Sequence, residues 1–255
     1  MSFAKKVILI SGAGSGIGAA TALRFAELGA RLCLTGRNKD KLIAVAKQCS
    51  KDPQRTFVVT GDLTKEDDVK NIVKSTIAHY GRLDVLVNNA GILEIGGIET
   101  TNLQQFDRLF NLNVRATYQL TTLAVPHLIQ TKGNIINVSS VAGLRGFPNF
   151  LPYCMSKATV DHFTRCAALD LGKKQVRVNS VNPGVIKTDL YNNSGMSKEE
   201  IEKFFKYFEE KNPLERLGDV KDVVNAITFL ASDDASHLTG ITLPIDGGLQ
   251  LMCSL

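Results

Sequence analysis

Seven short apolar runs alternate along this chain with longer stretches of helical spacing, and few folds accept that rhythm. The runs are Val7–Ile10, Leu32–Thr35, Thr56–Thr60, Val85–Val87, Asn134–Val138, Val176–Val181 and Ile241–Pro244. They are β-branched and continuous rather than alternating, which predicts strands covered on both faces. Between them Ile17–Leu28, Lys39–Cys49, Lys65–Tyr80, Leu103–Ile129, Cys154–Leu171 and Val220–Ala231 carry helical spacing. Gly29, Gly81 and Gly172 stand where helices should stop, and Thr64 stands as a hydroxyl cap before Lys65-Glu66-Asp67. The alternation predicts an α/β fold, a doubly wound sheet of seven parallel strands with helices on both faces and right-handed crossovers. No internal repeat, low-complexity segment or Gly/Ser/Pro linker divides the chain, so residues 1–255 read as one domain.

One insertion breaks the rhythm. Nearly forty residues separate the run ending at Val181 from the helical pattern starting at Val220. Within them Ser197-Lys198-Glu199-Glu200 is a capping-box sequence. It opens a short helix with Ile201, Phe204, Phe205 and Phe208 on one face, stopped by Asn212-Pro213. A lid over a substrate is the favoured reading of residues 185–212, against a helix packed on the body or in a subunit interface.

Composition excludes several classes. With 44% hydrophobic and 22% charged residues, the chain is neither disordered nor collagen-like. Its net charge of +5 is spread in isolated pairs such as Lys5-Lys6 and Lys173-Lys174, not in the stripe a nucleic-acid binder needs. Cys33, Cys49, Cys154, Cys166 and Cys253 form no C-x-x-C pair and sit mostly in apolar stretches, as free thiols of a reducing compartment do. No run is long enough to span a membrane, and Val7–Ile10 is too short for a signal-peptide core. The terminal Cys253-Ser254-Leu255 matches neither a prenylation box nor a peroxisomal address. A cytoplasmic protein is expected. His79, His127, His162 and His237 are widely scattered, so no metal site is expected.

Val7–Ile10 runs directly into Ser11-Gly12-Ala13-Gly14-Ser15-Gly16-Ile17-Gly18 at the first strand–helix junction. Glycines let the backbone approach a ligand closely, and the free N–H groups of the next helix would face a pyrophosphate. That placement favours dinucleotide binding over a simple tight turn. The second strand ends Leu34-Thr35-Gly36-Arg37-Asn38 with no carboxylate before Asp40. A carboxylate there would repel a 2′-phosphate, whereas the Arg37 fork can pair with one, so NADP(H) is favoured over NAD(H). Asp62, directly after the third strand, stands where it could accept from the adenine amino group or serve only as a helix-flanking cap.

Tyr153 and Lys157 are four apart at the start of a helical pattern and so share one face. A phenol ionises near about 10, and moving it to about 7 takes about 4 kcal/mol of preferential stabilisation of the phenolate. The Lys157 ammonium is expected to supply that, leaving Tyr153 able to protonate an alkoxide or deprotonate an alcohol. Ser140 ends the strand Asn134–Val138 at the carboxyl edge, where open α/β sheets bind ligands. No G-x-S-x-G elbow appears, and Cys154 reads as packing.

With these pieces together the sequence resembles the short-chain dehydrogenase/reductase family over essentially its whole length. The matching segments are Ser11–Gly18, Asp62-Leu63, Asn88-Asn89-Ala90-Gly91, Asn111-Leu112-Asn113-Val114, Val138-Ser139-Ser140, Tyr153-Cys154-Met155-Ser156-Lys157 and Asn182-Pro183-Gly184. The texture is similar to the 3-oxoacyl-carrier-protein-reductase-like branch, especially its insect members. The resemblance implies a Rossmann fold and an NADP(H)-dependent oxidoreductase. It implies Tyr153 as general acid or base and Lys157 on the nicotinamide ribose. Ser140, thirteen residues before Tyr153, would hold the substrate oxygen. Asn113 would hold a water that relays the proton through Lys157. Cofactor contacts would come from Gly12, Ser15, Gly16, Ile17, Gly18, Arg37, Asn38, Asp62, Leu63, Asn89, Ala90 and Gly91. At the nicotinamide end Pro183, Gly184, Ile186 and Thr188 would join Tyr153 and Lys157. Ser11 replaces the family's usual Thr, and Ser15 stands where some NADP-using members have a basic residue, leaving the 2′-phosphate to Arg37.

The expected activity is interconversion of a ketone and a secondary alcohol on an apolar substrate, such as a ketosteroid or ecdysteroid, a terpenoid or retinoid, or a 3-oxoacyl chain. Candidate walls are Leu93, Ile95, Leu144, Phe147, Phe150, Tyr191, Met196, Phe204 and Phe205. A homotetramer built on the long helices around Leu103–Ile129 and Cys154–Leu171 is implied by the same resemblance. Two other readings were weighed. A non-catalytic NADPH sensor or scaffold would leave Ser140, Tyr153 and Lys157 unused, and a methyltransferase would explain only the glycine loop.

Overall fold

The protein is described by a computed structural model covering residues 1–50, 52 and 54–252. The terminal Cys253-Ser254-Leu255 segment lies outside the described residues. Seven strands form a single sheet: β1 (Val7–Ser11), β2 (Arg31–Gly36), β3 (Thr56–Thr60), β4 (Val85–Asn88), β5 (Asn134–Val138), β6 (Arg177–Pro183) and β7 (Thr242–Ile245). Every pairing is parallel, and the spatial order is β3-β2-β1-β4-β5-β6-β7. Eight α-helices accompany them among the described residues: α1 (Gly16–Glu27), α2 (Lys39–Cys49), α3 (Glu66–Tyr80), α4 (Leu103–Phe110), α5 (Thr117–Thr131), α6 (Leu151–Gly172), α7 (Lys198–Lys211) and α8 (Val220–Ala231).

Successive strand side chains point to opposite faces, which splits the core in two. Ile8 and Ile10 join Leu32, Leu34, Val87 and Ile136 under α1, α2 and α8. Val7 and Leu9 join Leu86, Ile135 and Val178 under α3, α5 and α6. Each such side chain contributes about 1.5–3 kcal/mol by leaving water. Because both faces are covered, the strands read as unbroken apolar runs. The winding reverses between β1 and β4, and this opens a crevice at the strands' carboxyl ends.

Three local expectations need correction. The pattern over Leu103–Ile129 is not one helix, since a π-helical segment, Asn111–Ala116, interrupts it between α4 and α5. The cause is tertiary: the Asn113 side chain leaves the helix to bond the Ile92 backbone. Thr64 does not cap α3, whose N-cap position is Lys65; its hydroxyl donates to Asp62 Oδ1 at 2.8 Å instead. Gly29 and Gly81 do follow helix ends with positive φ, but α6 runs through Gly172. Pro152, at the start of α6, fits there because that position has no intrahelical partner to lose.

The capping box of α7 forms as expected, with the Glu200 amide donating to Ser197 Oγ at 3.2 Å and the Ser197 amide to Glu200 Oε2 at 2.7 Å. A third apolar cluster, separate from the two flanking the sheet, joins α7 to the start of α6 through Phe147, Phe150, Tyr191, Phe204 and Phe208. No described helix is long and apolar enough to cross a membrane.

Candidate active site

A cavity of about 410 Å³ runs along the carboxyl edge of the sheet from β2 to the α7 cluster. At its centre the backbone after β1 turns through Gly12, whose φ of +64 is the left-handed conformation that favours glycine. A Cβ on Gly12 would lie 2.9 Å from Asn89 Nδ2 and from Ala90 Cα. The Ser11 hydroxyl accepts from the Asn89 and Ala90 amides at 3.0 and 3.1 Å, so β1 and β4 ends are tied together. Asn89 Nδ2 returns bonds to Ser11 O and Gly12 O at 2.9 and 3.1 Å. Its amide therefore fastens the glycine loop. α1 then begins with no side-chain cap on Ser15 and no acidic residue in its first turn. Its first N–H groups are left for an anion.

Gly12, Ser15, Gly16, Ile17, Asn89, Ala90 and Gly91 all line the cavity. Gly18 does not, which corrects its assignment as a cofactor contact. A side chain there would run into the Gly12 carbonyl oxygen, so its bareness lets α1 seat against the loop.

Arg37, Asn38, Asp62 and Leu63 form the end of the cavity beside β2 and β3. Arg37 is exposed, and Asn38 Oδ1 accepts from the Lys41 amide at 2.9 Å as the cap of α2. At Asp62 burial, which would raise the carboxyl, is outweighed by donors from Thr64 and by the charges of Arg37 and Lys65, and the group falls below its ordinary value. Lys41 also lines this end and reaches across the rim to Asp189, Nζ to Oδ2 3.7 Å. The sequence pattern gave no sign of that contact, which joins segments nearly 150 residues apart. An uncapped helix start and a loop stripped of side chains together suit a dinucleotide.

At the other end Ser140, Tyr153 and Lys157 face the same cavity. Tyr153 and Lys157 are one turn apart on α6, with Nζ 5.7 Å from the Tyr153 ring centroid. Lys157 Nζ donates to Val138 O at 3.0 Å, and Ser139 Oγ donates to Lys157 O at 3.1 Å. Ser140 Oγ accepts from the Ala142 amide at 3.1 Å and donates to Pro183 O at 3.4 Å, close enough to the Tyr153 phenol to favour its ionised form. The two serines thus face different ways. Pro183, Gly184, Ile186 and Thr188 also line the cavity.

The electrostatics correct one expectation. The chain's own groups do not acidify Tyr153. Burial pushes its phenol up to about 12, opposed by the Ser140 hydroxyl, while burial pushes the Lys157 ammonium down to about 8 against the charge of Asp161. Desolvation outweighs the single charge one turn away.

Asn113 is buried beneath the cavity and does not line it. Its Oδ1 accepts from the Ile92 amide at 2.9 Å, and its Nδ2 donates to Ile92 O at 3.0 Å and Ser156 Oγ at 3.1 Å. Both side-chain donors are spent in holding the loop after β4 against α6, and Oδ1 keeps one further acceptor site.

Sequence reasoning missed Asp161, two turns beyond Tyr153 on α6 and 1% exposed. Its carboxylate accepts from Asn182 Nδ2 at 2.9 and 3.0 Å and from Ser180 Oγ at 3.1 Å, locking α6 to β6. The i, i+4, i+8 spacing from Tyr153 was the available signal. The substrate walls also shift: Leu93, Phe147, Phe150, Tyr191 and Phe204 line the cavity, while Ile95, Leu144, Met196 and Phe205 stand behind it. Val185, Phe208 and Leu249 line it as well, together with Ile92, Ala142, Leu190 and Asn193.

Known proteins share this arrangement. The family described as enoyl-(acyl carrier protein) reductase matches residues 12–250. A glucose 1-dehydrogenase of Gluconobacter oxydans is 40% identical over 98% of this chain and 93% of its own length. Among solved structures, a short-chain dehydrogenase/reductase of unknown function from Caenorhabditis elegans, crystallised with cofactor, superposes with a TM-score of 0.93 at 34% identity, covering 99% of this chain and 97% of that one. A 3-ketoacyl-(acyl-carrier-protein) reductase from Brucella melitensis in complex with NADH gives 0.89 at 33% identity, covering 98% and 100%. Likeness at this identity and over nearly the full length of each chain carries the fold, and on that ground the chain belongs to the short-chain dehydrogenase/reductase family.

Proposed function

We propose that the protein is an NADP(H)-dependent oxidoreductase that interconverts a ketone and a secondary alcohol on an apolar substrate, with Tyr153 as the proton donor or acceptor. The observation that carries this reading is that Ser140, Tyr153 and Lys157 open into the same cavity as the glycine loop and Arg37. Family membership supports nicotinamide chemistry. The choice of NADP(H) rests on Arg37 and on the absence of a carboxylate at the end of β2.

When bound, the nicotinamide supplies or accepts the hydride at the substrate carbon. The chain does the rest. In reduction Tyr153 and Ser140 both donate to the carbonyl oxygen, and charge building on that oxygen strengthens both bonds. Tyr153 keeps its proton at neutral pH because burial holds the phenol high, so its resting form is the acid. An alkoxide is far more basic than a phenolate, and the proton passes from Tyr153 to the new alcohol. Lys157 Nζ spends one of its three donors on Val138 O, leaving two for ribose hydroxyls. In oxidation the same atoms act in reverse.

Residues 185–212 act as a lid on this reading, since Phe204 and Phe208 of α7 line the substrate end and pack on Phe150 and Phe147. The apolar walls favour steroid-like, terpenoid or acyl ketones. Tetramer assembly is part of the same proposal. A shallow apolar depression of about 240 Å³ on the outer faces of α5 and α6, lined by Tyr118, Val160 and Phe163, supports helix pairing there.

The test is NADPH consumption over a panel of apolar ketones, repeated with Tyr153→Phe. Loss of turnover with nearly intact NADPH affinity is expected. Undiminished turnover in the variant overturns the mechanism, and silence of the wild type across the panel favours a cofactor-binding protein without turnover.

A further inference from the structure

Tyr191 sits in the turn after β6, in the same apolar cluster as Tyr153, and is 7% exposed. Its ring packs between Phe204 and Phe205, with centroids 5.5 and 5.1 Å away. It also lines the cavity. The neighbouring walls, Leu93, Phe147, Phe150, Phe204 and Phe208, carry no polar group. A buried tyrosine hydroxyl ordinarily has a hydrogen-bond partner. Among the described residues none pairs with this one, and a phenylalanine would have filled the same space.

We infer that the Tyr191 hydroxyl is a substrate subsite that donates to a second oxygen on the carbon next to the reacting carbonyl, so that the protein prefers α-diketones and α-hydroxyketones to plain ketones. The inference rests on the ketone-reductase reading above and narrows its substrate class. The two phenols face one small space. Ionisation of Tyr153 is felt at Tyr191, whose own phenol is held above its ordinary value first by burial and then by that charge. Tyr191 therefore stays protonated and acts only as a donor or a neutral acceptor, while Tyr153 and Ser140 take the reacting oxygen. A substrate with one oxygen fills the cavity beside the Tyr191 hydroxyl and gives it no partner; one with a neighbouring oxygen satisfies it. Discrimination of this kind is strong because the site's own polar group is what goes unpaired.

Phenylacetone and acetylbenzoyl form a suitable pair of probes, the second carrying an added carbonyl on the carbon beside the methyl ketone. Their kcat/KM values are measured with NADPH for the wild type and for Tyr191→Phe, an exchange that keeps the ring and its packing. The preference for acetylbenzoyl over phenylacetone, taken as the ratio of kcat/KM, should fall about tenfold in the variant. Comparison within each substrate removes the intrinsic difference in ketone reactivity, and a general loss of activity through misfolding leaves the ratio where it was. A ratio unchanged in Tyr191→Phe overturns the subsite and leaves the ketone-reductase reading standing. Turnover of neither ketone by the wild type overturns both.

Discussion

Arg37 is the one residue from which the choice of cofactor is argued, and its exposure makes it easy to test. Arg37→Asp should weaken NADPH by about 2–3 kcal/mol while changing NADH far less, since a charge-assisted bond to phosphate becomes a repulsion. Fluorescence titration of both dinucleotides measures this, and equal losses would remove the 2′-phosphate assignment. Lys157 offers a second test through stability. Its ammonium titrates near 8 in the folded protein against an ordinary 10.5. Between those values the unfolded chain binds the extra proton, so this group's contribution to stability rises with pH. Tyr153, raised to about 12 from 10.0, has the opposite sign, but its window opens only above 10. The stability of the wild type relative to Lys157→Met should therefore grow between about pH 7.5 and about pH 9.5 in urea titrations. A flat or falling difference would mean that Lys157 is not desolvated as described.

The π-helical segment between α4 and α5 exists because Asn113 holds the Ile92 backbone by both its N–H and its C=O. Asn113→Ala strands those two buried groups and should cost about 2–3 kcal/mol in denaturant unfolding. A loss below about 0.5 kcal/mol would show that water or a shifted loop replaces the amide. That segment also marks where sequence stops being enough. Strands and most helices were legible because burial on two faces or one stamps its period on the chain, and Tyr153 with Lys157 was legible because both lie one turn apart on α6. Asn113's bond to Ile92 joins residues 21 positions apart, and Asp161's partners come from β6, 19 and 21 positions away. No local period records such contacts. The acidity of Tyr153 was misread for a related reason: the charge of Lys157 is written in the spacing, whereas the depth of burial that outweighs it emerges only from the assembled fold.

At the scale of the molecule α6 serves two sides. Its inner face carries Tyr153, Lys157 and Asp161, whereas Leu169 on α6 is 82% exposed and Tyr118, on α5, is 59% exposed. Phe163→Glu, which puts a charge into the depression between α5 and α6, should reduce the assembled mass read by light scattering. An unchanged mass would clear this face of any role in assembly. The aromatic cluster around α7 shares no residue with either core that flanks the sheet. Taste is thus housed apart from the sheet's two cores and meets the chemistry at Tyr153, which belongs to the same cluster. Selection acting on Phe147, Phe150, Phe204 or Phe208 can retune what is admitted while the scaffold bearing Tyr153 and Lys157 keeps its geometry, so descendants with new diets need not reinvent the reaction.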